Sequence, residues 1–491
     1  MPPCFFGESA LMTQTFFAWI LSGLLLITPY PWAKWLLAQN PRRDSRWLTI
    51  MLTLALSTGT LTLVMFWESL LGITFETWAI VLPYALLMLP GWIANRFRGG
   101  EFPVGAHSRA PQIPSVRQIF LISPLVIIGA AILFNAVYWP FSRDDAMGIY
   151  APIAQQMADS RAILPLPGNL TVYEAYPIHI SLTYTFAYLA SGWTNEYLAR
   201  LFPALMAVGC IPAAYVFGAM LHGRAAGWIS AILLATTPTF GRWASSGYVD
   251  LPMAFFYILS AIFAWRLWQT RHWTDALLAG LMMGLAAWTK NAALLGILFL
   301  SAWLAWAWLR KKIDLRLAVL TLVSAAAVAA PWYIRNWLQA GLIIPDTAWT
   351  DQAKRSFQTL LVLPQLYGLA GLIMLIAVIL TIIDLLRRRF NAPENILLLL
   401  WTVPFFAAWW LFASYDPRFL LLFLPVLCVI TGVWLVNFHT ILPKRAVFPL
   451  FVLVLALALW TAWNSVEFKV EILRNPLMDN QTKHEIVLAD E

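Results

Sequence analysis

Charge is scarce in this chain: Asp, Glu, Lys and Arg make up 11% of its 491 residues, while 61% are hydrophobic. A soluble domain of that composition would expose an insoluble surface, so a soluble globular fold is excluded. Cysteine is rarer still. Cys4, Cys210 and Cys428 lie far apart, and the last two fall inside apolar runs. That spacing argues against a disulfide framework or a Cys-based metal site. No P-loop, dinucleotide fingerprint, His-Glu-x-x-His or zinc-ligand spacing occurs, so no nucleotide or zinc chemistry is read from the sequence.

What the chain has is repeated apolar runs of roughly 20 residues, the length that spans a bilayer as a helix. Candidate spans fall near 13–32, 47–66, 75–95, 118–139, 198–221, 225–240, 251–269, 274–288, 291–309, 315–333, 365–386, 395–413, 419–437 and 446–465. The fold class is therefore all-α and polytopic, with about fourteen transmembrane helices. The first run has no basic segment before it and ends in Pro29-Tyr-Pro-Trp32, which reads as a retained span. Trp (27) and Phe (30) are abundant, and Trp139, Trp243 and Trp332 flank spans as interface anchors do.

Loop charge orients the spans. Basic clusters mark the cytoplasmic side. They occur at Lys34/Arg42/Arg43/Arg46, Arg96/Arg98/Arg109/Arg117, Arg266/Arg271, Arg310/Lys311/Lys312/Arg316, Arg387/Arg388/Arg389 and Lys444/Arg445. All fall on one side only if the apolar stretch 177–191 does not cross. Residues 141–197 then form one long external loop with juxtamembrane or re-entrant helices, 334–364 form a second, and both termini lie outside. The net charge of +8 fits these cytoplasmic loops, so no nucleic-acid partner is expected. The organisation read is an extra three-span region with its cytoplasmic linker (1–117), a membrane core (118–437), and a last span with a polar tail (438–491). That tail is either a small appendage or disordered.

Against this background Asp144 and Asp145 stand side by side where the chain leaves the span 118–139. The bland alternative is helix capping, worth roughly 0.5–2 kcal/mol, but capping does not account for both. The apolar spacing after them predicts a short amphipathic helix along the membrane surface. Glu174 sits between Tyr173 and Tyr176 in Val172-Tyr-Glu-Ala-Tyr-Pro177. Its carboxylate can accept from sugar hydroxyls while the rings stack on a sugar face; the alternative is a solvated loop acid. Asp250 opens a span at its outer end in Tyr248-Val-Asp-Leu-Pro252, again as a cap or as a site acid.

Three cations stand on the external side, where the charge rule disfavours them: Lys290 at a hairpin tip, Arg335 after a span and Arg418 before one. An ionisable residue at membrane-rim depth is a candidate functional group. Its natural partner there is a lipid phosphate held by charge-assisted hydrogen bonds. Snorkelling to headgroups, or pairing with a local acid such as Asp416, is the alternative. Arg242, Lys354 and Arg355 are weaker members of this set. His179 reads as a hydrogen-bonded interface residue.

In order along the chain these motifs resemble the GT-C type of polyprenyl-phosphate-sugar-dependent glycosyltransferases, especially 4-amino-4-deoxy-L-arabinose transferases and protein O-mannosyltransferases. The resemblance covers about 118–437. It rests on Asp144-Asp145, Glu196-Tyr-Leu-Ala-Arg-Leu-Phe-Pro-Ala-Leu205, Gly223-Arg-Ala-Ala-Gly227, Asp250-Leu-Pro252, Gly284-Leu-Ala-Ala-Trp-Thr-Lys290, Trp332-Tyr-Ile-Arg-Asn336 and Arg418-Phe-Leu-Leu-Leu-Phe-Leu-Pro425. Many relatives carry Asp-Glu where this chain has Asp-Asp, and three extra spans precede the core.

The resemblance implies sugar transfer from a polyprenyl-phosphate donor to an acceptor lipid, glycan or protein on the outer face of a bacterial inner membrane. Asp145, or else Asp144, would be the general base. Glu174, Tyr173, Tyr176 and Asp250 would orient sugar or acceptor, and Lys290, Arg335 and Arg418 would hold the lipid phosphate. No cofactor is expected; the alternative is a divalent cation on the adjacent acids. The rival functions are a flippase or transporter of lipid-linked sugars, and an oligosaccharide polymerase or ligase.

Overall fold

A computed structural model describes residues 5–39, 45–98, 116–166, 175–344, 350–439 and 447–489. Among the described residues the regular structure is entirely helical. The N-terminal region holds α1 (Phe5–Ile27), α2 (Tyr30–Ala38), α3 (Arg46–Leu70) and α4 (Thr77–Arg98). Next come α5 (Val116–Tyr138), α6 (Ala151–Ser160), α7 (His179–Ser191), α8 (Glu196–Ala235), α9 (Pro238–Ala244), α10 (Asp250–Thr270) and α11 (Trp273–Thr289). The remainder is α12 (Leu294–Leu309), α13 (Leu315–Ala340), α14 (Phe357–Leu360), α15 (Val362–Arg387), α16 (Pro393–Leu400), α17 (Val403–Phe412), α18 (Leu424–His439), α19 (Val447–Ser465), α20 (Lys469–Arg474) and α21 (Asn480–Ala489).

Every apolar run expected to span is helical, and the chain is a polytopic α-helical membrane protein. Among the described residues 9 helical stretches are long and apolar enough to cross a bilayer, and Ile122–Tyr138, Leu424–Val436 and Val452–Ser465 are shorter apolar helices. The 40-residue α8 joins two expected spans. It breaks at His222 and Gly223, where Gly223 has φ +83°, a conformation cheap only for glycine. The two arms fold back on each other. A Cβ on Gly227 would sit 2.5 Å from the Tyr215 carbonyl oxygen, so only glycine allows this approach.

The stretch 177–191 becomes α7, of 13 residues. At 1.5 Å per residue it reaches about 20 Å, short of a hydrocarbon core of about 30 Å. It is buried along nearly its whole length and packs against α1, α3, α6 and α8. Its Gly192 C-cap, at φ +72°, turns the chain into α8. The N-terminal helices join the core through α3, whose Thr62 hydroxyl accepts from the Trp288 indole at 3.2 Å. At the centre lies α10, buried over Asp250–Leu267 and packed against α8, α11 and α18.

Candidate active site

The approach to the acid pair is built from backbone carbonyls. Pro140 prevents α5 from continuing through Trp139, which leaves carbonyls without helical partners. Arg200 of α8, fully buried, donates to the carbonyls of Trp139 (2.7 Å), Pro140 and Ser245 (2.6 Å). The Phe141 N–H donates to Glu196 at 2.7 Å. Asp144 and Asp145 then lead into a π turn, Ala146–Tyr150, that runs into α6. The apolar spacing predicts a short helix there, and α6 forms with Ala154 and Met157 buried.

The two acids have different surroundings. Asp144 is exposed. The Asp145 N–H donates to the Tyr248 hydroxyl at 2.9 Å, and its carboxylate meets Arg418 Nη1 at 2.7 Å. Asp145 occupies the N-cap position without a side-chain capping bond; its carboxylate is committed to Arg418 instead.

Asp250 stands at the first position of α10, almost fully buried, and makes no cap. Lys290 donates to its Oδ1 at 2.7 Å, and Arg418 Nε lies 3.7 Å from its Oδ2. Lys290 reaches it because the chain leaves α11 there in an extended conformation (φ −157°, ψ 141°). Arg418 also pairs with Asp416 at 3.1 Å, and Asp416 accepts the Arg418 N–H at 2.8 Å. Aromatic faces complete the site. The Arg418 guanidinium lies 4.6 Å from the Tyr248 ring centroid and 5.5 Å from that of Trp243. The Lys290 ammonium lies 4.4 Å from Phe419. Such contacts favour cations where water is scarce.

Burial pushes the Asp145 carboxyl up from its ordinary range, more strongly than the Arg418 and Lys290 charges hold it down; nearby Asp250 adds to the rise. Burial also pulls Arg418 downward, but Asp250, Asp145 and Asp416 outweigh it and keep the guanidinium protonated. The Tyr248 hydroxyl is pushed up to about 12, chiefly by burial. Two buried atoms at the centre, Asp250 Oδ2 and Arg418 Nε, have no hydrogen-bond partner among the described residues.

Asp145, Asp250, Lys290 and Arg418, drawn from four separate stretches, thus form one group. Arg335 does not join it. Its guanidinium lies 4.7 Å from the Trp332 ring and donates to the Leu164 carbonyl at 2.5 Å. Trp332 and Asn336 both donate to the Ala175 carbonyl, at 3.2 and 3.1 Å. The C-terminal end of α13 therefore grips both flanks of the Glu174 segment. Tyr173 and Glu174 themselves lie outside the described residues. Tyr176 is half-buried within electrostatic reach of Tyr150, whose ring lies 6.4 Å from Tyr248. His179 is buried and hydrogen-bonded to Thr289 at 2.8 Å, a structural residue.

Sequence reasoning missed Arg143, Arg200, Trp243, Tyr248 and Glu467 as site residues. Arg200 carried a signal, as another arginine at the outer end of a span. Among the described residues no three His, Cys, Asp or Glu side chains gather where they could hold a metal ion. Two clefts, of about 300 and 360 Å³, open elsewhere, one beside Glu76 and Arg161 and one beside Glu196 and His484. Neither is lined by the Asp145–Arg418–Asp250–Lys290 group; that group's charge and geometry, rather than cavity size, make it the candidate site.

This architecture is similar to that of solved membrane proteins. ArnT from Cupriavidus metallidurans, bound to undecaprenyl phosphate, superposes with a TM-score of 0.50 at 18% identity, over 67% of this chain and 60% of that one. The archaeal oligosaccharyltransferase AglB from Archaeoglobus fulgidus, in complex with an inhibitory peptide and a dolichol-phosphate, gives 0.51 at 14% identity, over 76% and 60%. The chain thus spans 60% of the length of either protein, and the likeness is one of fold, a GT-C-like polytopic arrangement of membrane helices. Residues 177–334 match the family described as dolichyl-phosphate-mannose-protein mannosyltransferase. That stretch contains Asp250 and Lys290 and stops one residue before Arg335. No curated protein sequence matches the chain.

Proposed function

We propose that this protein is a membrane glycosyltransferase that moves a sugar from a polyprenyl-phosphate donor to a hydroxyl or amine of an acceptor lipid, glycan or protein. The observation that carries this reading is the interleaving of Asp145 and Asp250 with Arg418 and Lys290 at one end of the bundle. Support comes from ArnT and AglB, similar folds that bind undecaprenyl phosphate and a dolichol-phosphate.

The donor's phosphate is drawn to Lys290 and Arg418, where Arg418 Nε has a hydrogen bond to give. It competes with the carboxylates for these cations, so Asp145 is released from Arg418 and becomes a free base. Asp145 takes the acceptor's proton as the acceptor oxygen or nitrogen bonds to the anomeric carbon. The bond from that carbon to the phosphate oxygen breaks on the opposite face, giving inversion. Polyprenyl phosphate leaves with its growing charge met by the two cations. Asp250 holds Lys290 in place, and Glu174, Tyr173 and Tyr176 contact sugar or acceptor. Arg335 shapes that segment from α13. The cations do the work a divalent ion would do at the leaving phosphate, so transfer is metal-independent. The site faces the periplasmic side of a bacterial inner membrane.

The test is transfer by purified protein from a polyprenyl-phosphate sugar. General-base catalysis contributes on the order of 10²–10⁴-fold, so Asp145→Asn should lose about that much while Asp144→Asn stays within a few-fold. Wild-type transfer by Asp145→Asn would remove the base assignment. Movement of the lipid-linked sugar without release of polyprenyl phosphate would make the protein a flippase.

A further inference from the structure

We propose that Glu467, just beyond the last apolar helix, is a positioning residue that sets the Asp145 loop and keeps a competing cation away from it. Because Glu467 acts through Asp145, this role rests on the assignment of Asp145 as the base.

Glu467 is delivered to the site by α19, which packs along α5 and α9. Its carboxylate is nearly buried, with 11% of the side chain exposed. Oε1 accepts from Arg143 Nε at 2.9 Å and pairs with Arg143 Nη2 at 2.9 Å. Oε2 accepts from Ser142 Oγ at 2.7 Å, Asn135 Nδ2 at 3.3 Å and Arg200 Nη2 at 3.3 Å. The Glu467 N–H donates to Asn135 Oδ1 at 2.8 Å. One side chain near the C-terminus thus holds the two residues directly before Asp144-Asp145, together with the buried arginine that ties down the carbonyls of 139, 140 and 245.

A second observation points the same way. Phe468 has φ +43°, a left-handed conformation that costs a non-glycine residue energy and persists only when packing over-determines it. Its ring lies 4.9 Å from that of Trp139, at the end of α5. The turn is therefore anchored where it presents Glu467 to the acid loop.

The charge pattern explains why a carboxylate is needed. The Arg143 guanidinium lies 5.9 Å from the Trp243 ring, and that ring also carries Arg418 at 5.5 Å. With Arg242 at 5.4 Å, Arg143 is thus one of three arginines beside the same tryptophan, and it stands two residues from Asp145. With Glu467 neutral, Arg143 loses its carboxylate partner and is drawn toward the neighbouring aspartates. Without its negative charge, Arg200 is also left buried with carbonyl oxygens alone.

The test uses the full-length enzyme with Glu467→Gln, Glu467→Asp, the double change Arg143→Gln/Glu467→Gln, and Glu471→Gln as a surface control. Transfer kinetics are read beside amide exchange over residues 141–150. Misplacing a base by about 1 Å costs on the order of a hundredfold. Glu467→Gln should therefore lower kcat by roughly ten- to a hundredfold, leave donor KM within a few-fold, and speed exchange in 141–150. Glu467→Asp, which keeps the charge, should recover part of the loss, and so should removing Arg143 as well. If Glu467→Gln does not fold, Glu467→Asp is read for the same slower turnover and faster exchange. Wild-type kcat, with or without faster exchange, overturns the role. Should Asp145→Asn be fully active, the base assignment fails by itself, and the exchange result still decides whether Glu467 holds the loop.

Discussion

Lys290 illustrates what one ammonium must satisfy at the edge of a membrane protein. Its side chain is 11% exposed, paired with Asp250 at 2.7 Å and capped by the Phe419 ring. Removing Lys290 leaves the buried Asp250 with Arg418 alone, 3.7 Å from its Oδ2, and breaking a buried pair costs up to about 3–5 kcal/mol. Lys290→Ala should therefore lower the thermal midpoint and also raise donor KM about tenfold, roughly 1.4 kcal/mol of donor binding. A KM equal to that of the wild type would exclude Lys290 from the phosphate clamp. At this scale, much of the structure's charged group was legible in the sequence. Lys290, Arg418, Asp145 and Asp250 stood out because each is an ionisable residue where hydropathy and the charge rule leave little room for one. Glu467 had no such mark. In a polar tail it reads as a solvated acid, and its burial depends on α19 lying along α5, a contact between segments more than 300 residues apart in sequence. Arg335 was legible as an anomaly but not in its role, since its partner is the Leu164 carbonyl rather than an acid.

Among the elements, α7 and the α8 hairpin show how length settles what composition leaves open. The loop-charge argument required 177–191 not to cross, and the 13-residue α7 is too short to do so. Composition could not separate an appendage from disorder in the tail; it folds into α20 and α21, and Phe468, Met478 and Val487 of this segment pack on Trp139. The docking has a titratable element. His484 of α21 lies 3.5 Å from Glu196, and that hydrogen bond raises the imidazole above its ordinary value, against burial, with the Asn480 carbonyl helping. A raised histidine stabilises the folded state fully below its unfolded value, about 6.5, and that contribution is lost as pH rises through the higher folded value. The pair is 45% exposed on the histidine side, so the effect is small, roughly 0.2–1 kcal/mol. The thermal midpoint should rise slightly from pH 8.5 to pH 6, and His484→Gln should flatten that slope. An equal slope in the variant would place the titration elsewhere.

The whole molecule is a bundle with two unlike ends. At one end Asp145, Asp250, Lys290 and Arg418 lie together. At the other, Arg266 of α10 pairs with Asp275 of α11 at 2.7 Å, and Arg310 and Arg389 follow α12 and α15. Cysteines placed at Asp159 or Asp479, both exposed, should react with an impermeant maleimide from outside the cell. Cysteines at Arg271 or Arg389, also exposed, should react only after permeabilisation; the reverse pattern would invert the orientation read from loop charge. The fold was legible because span length and loop charge are properties of single segments, whereas the convergence of four stretches on one site is a property of packing. The contact between Arg418 and Asp145 bears on fidelity as well as on rate. A transferase working at a membrane rim is bathed in water, a nucleophile far more abundant than any acceptor. A carboxylate left free there would deprotonate water and waste the activated sugar. On the reading that Asp145 is the base, its Oδ2 is paired with Arg418 until a phosphate arrives, so the carboxylate at rest is a weaker base toward a stray water molecule. The same reading predicts an ordered turnover, donor first, which initial-rate kinetics with both substrates varied would check.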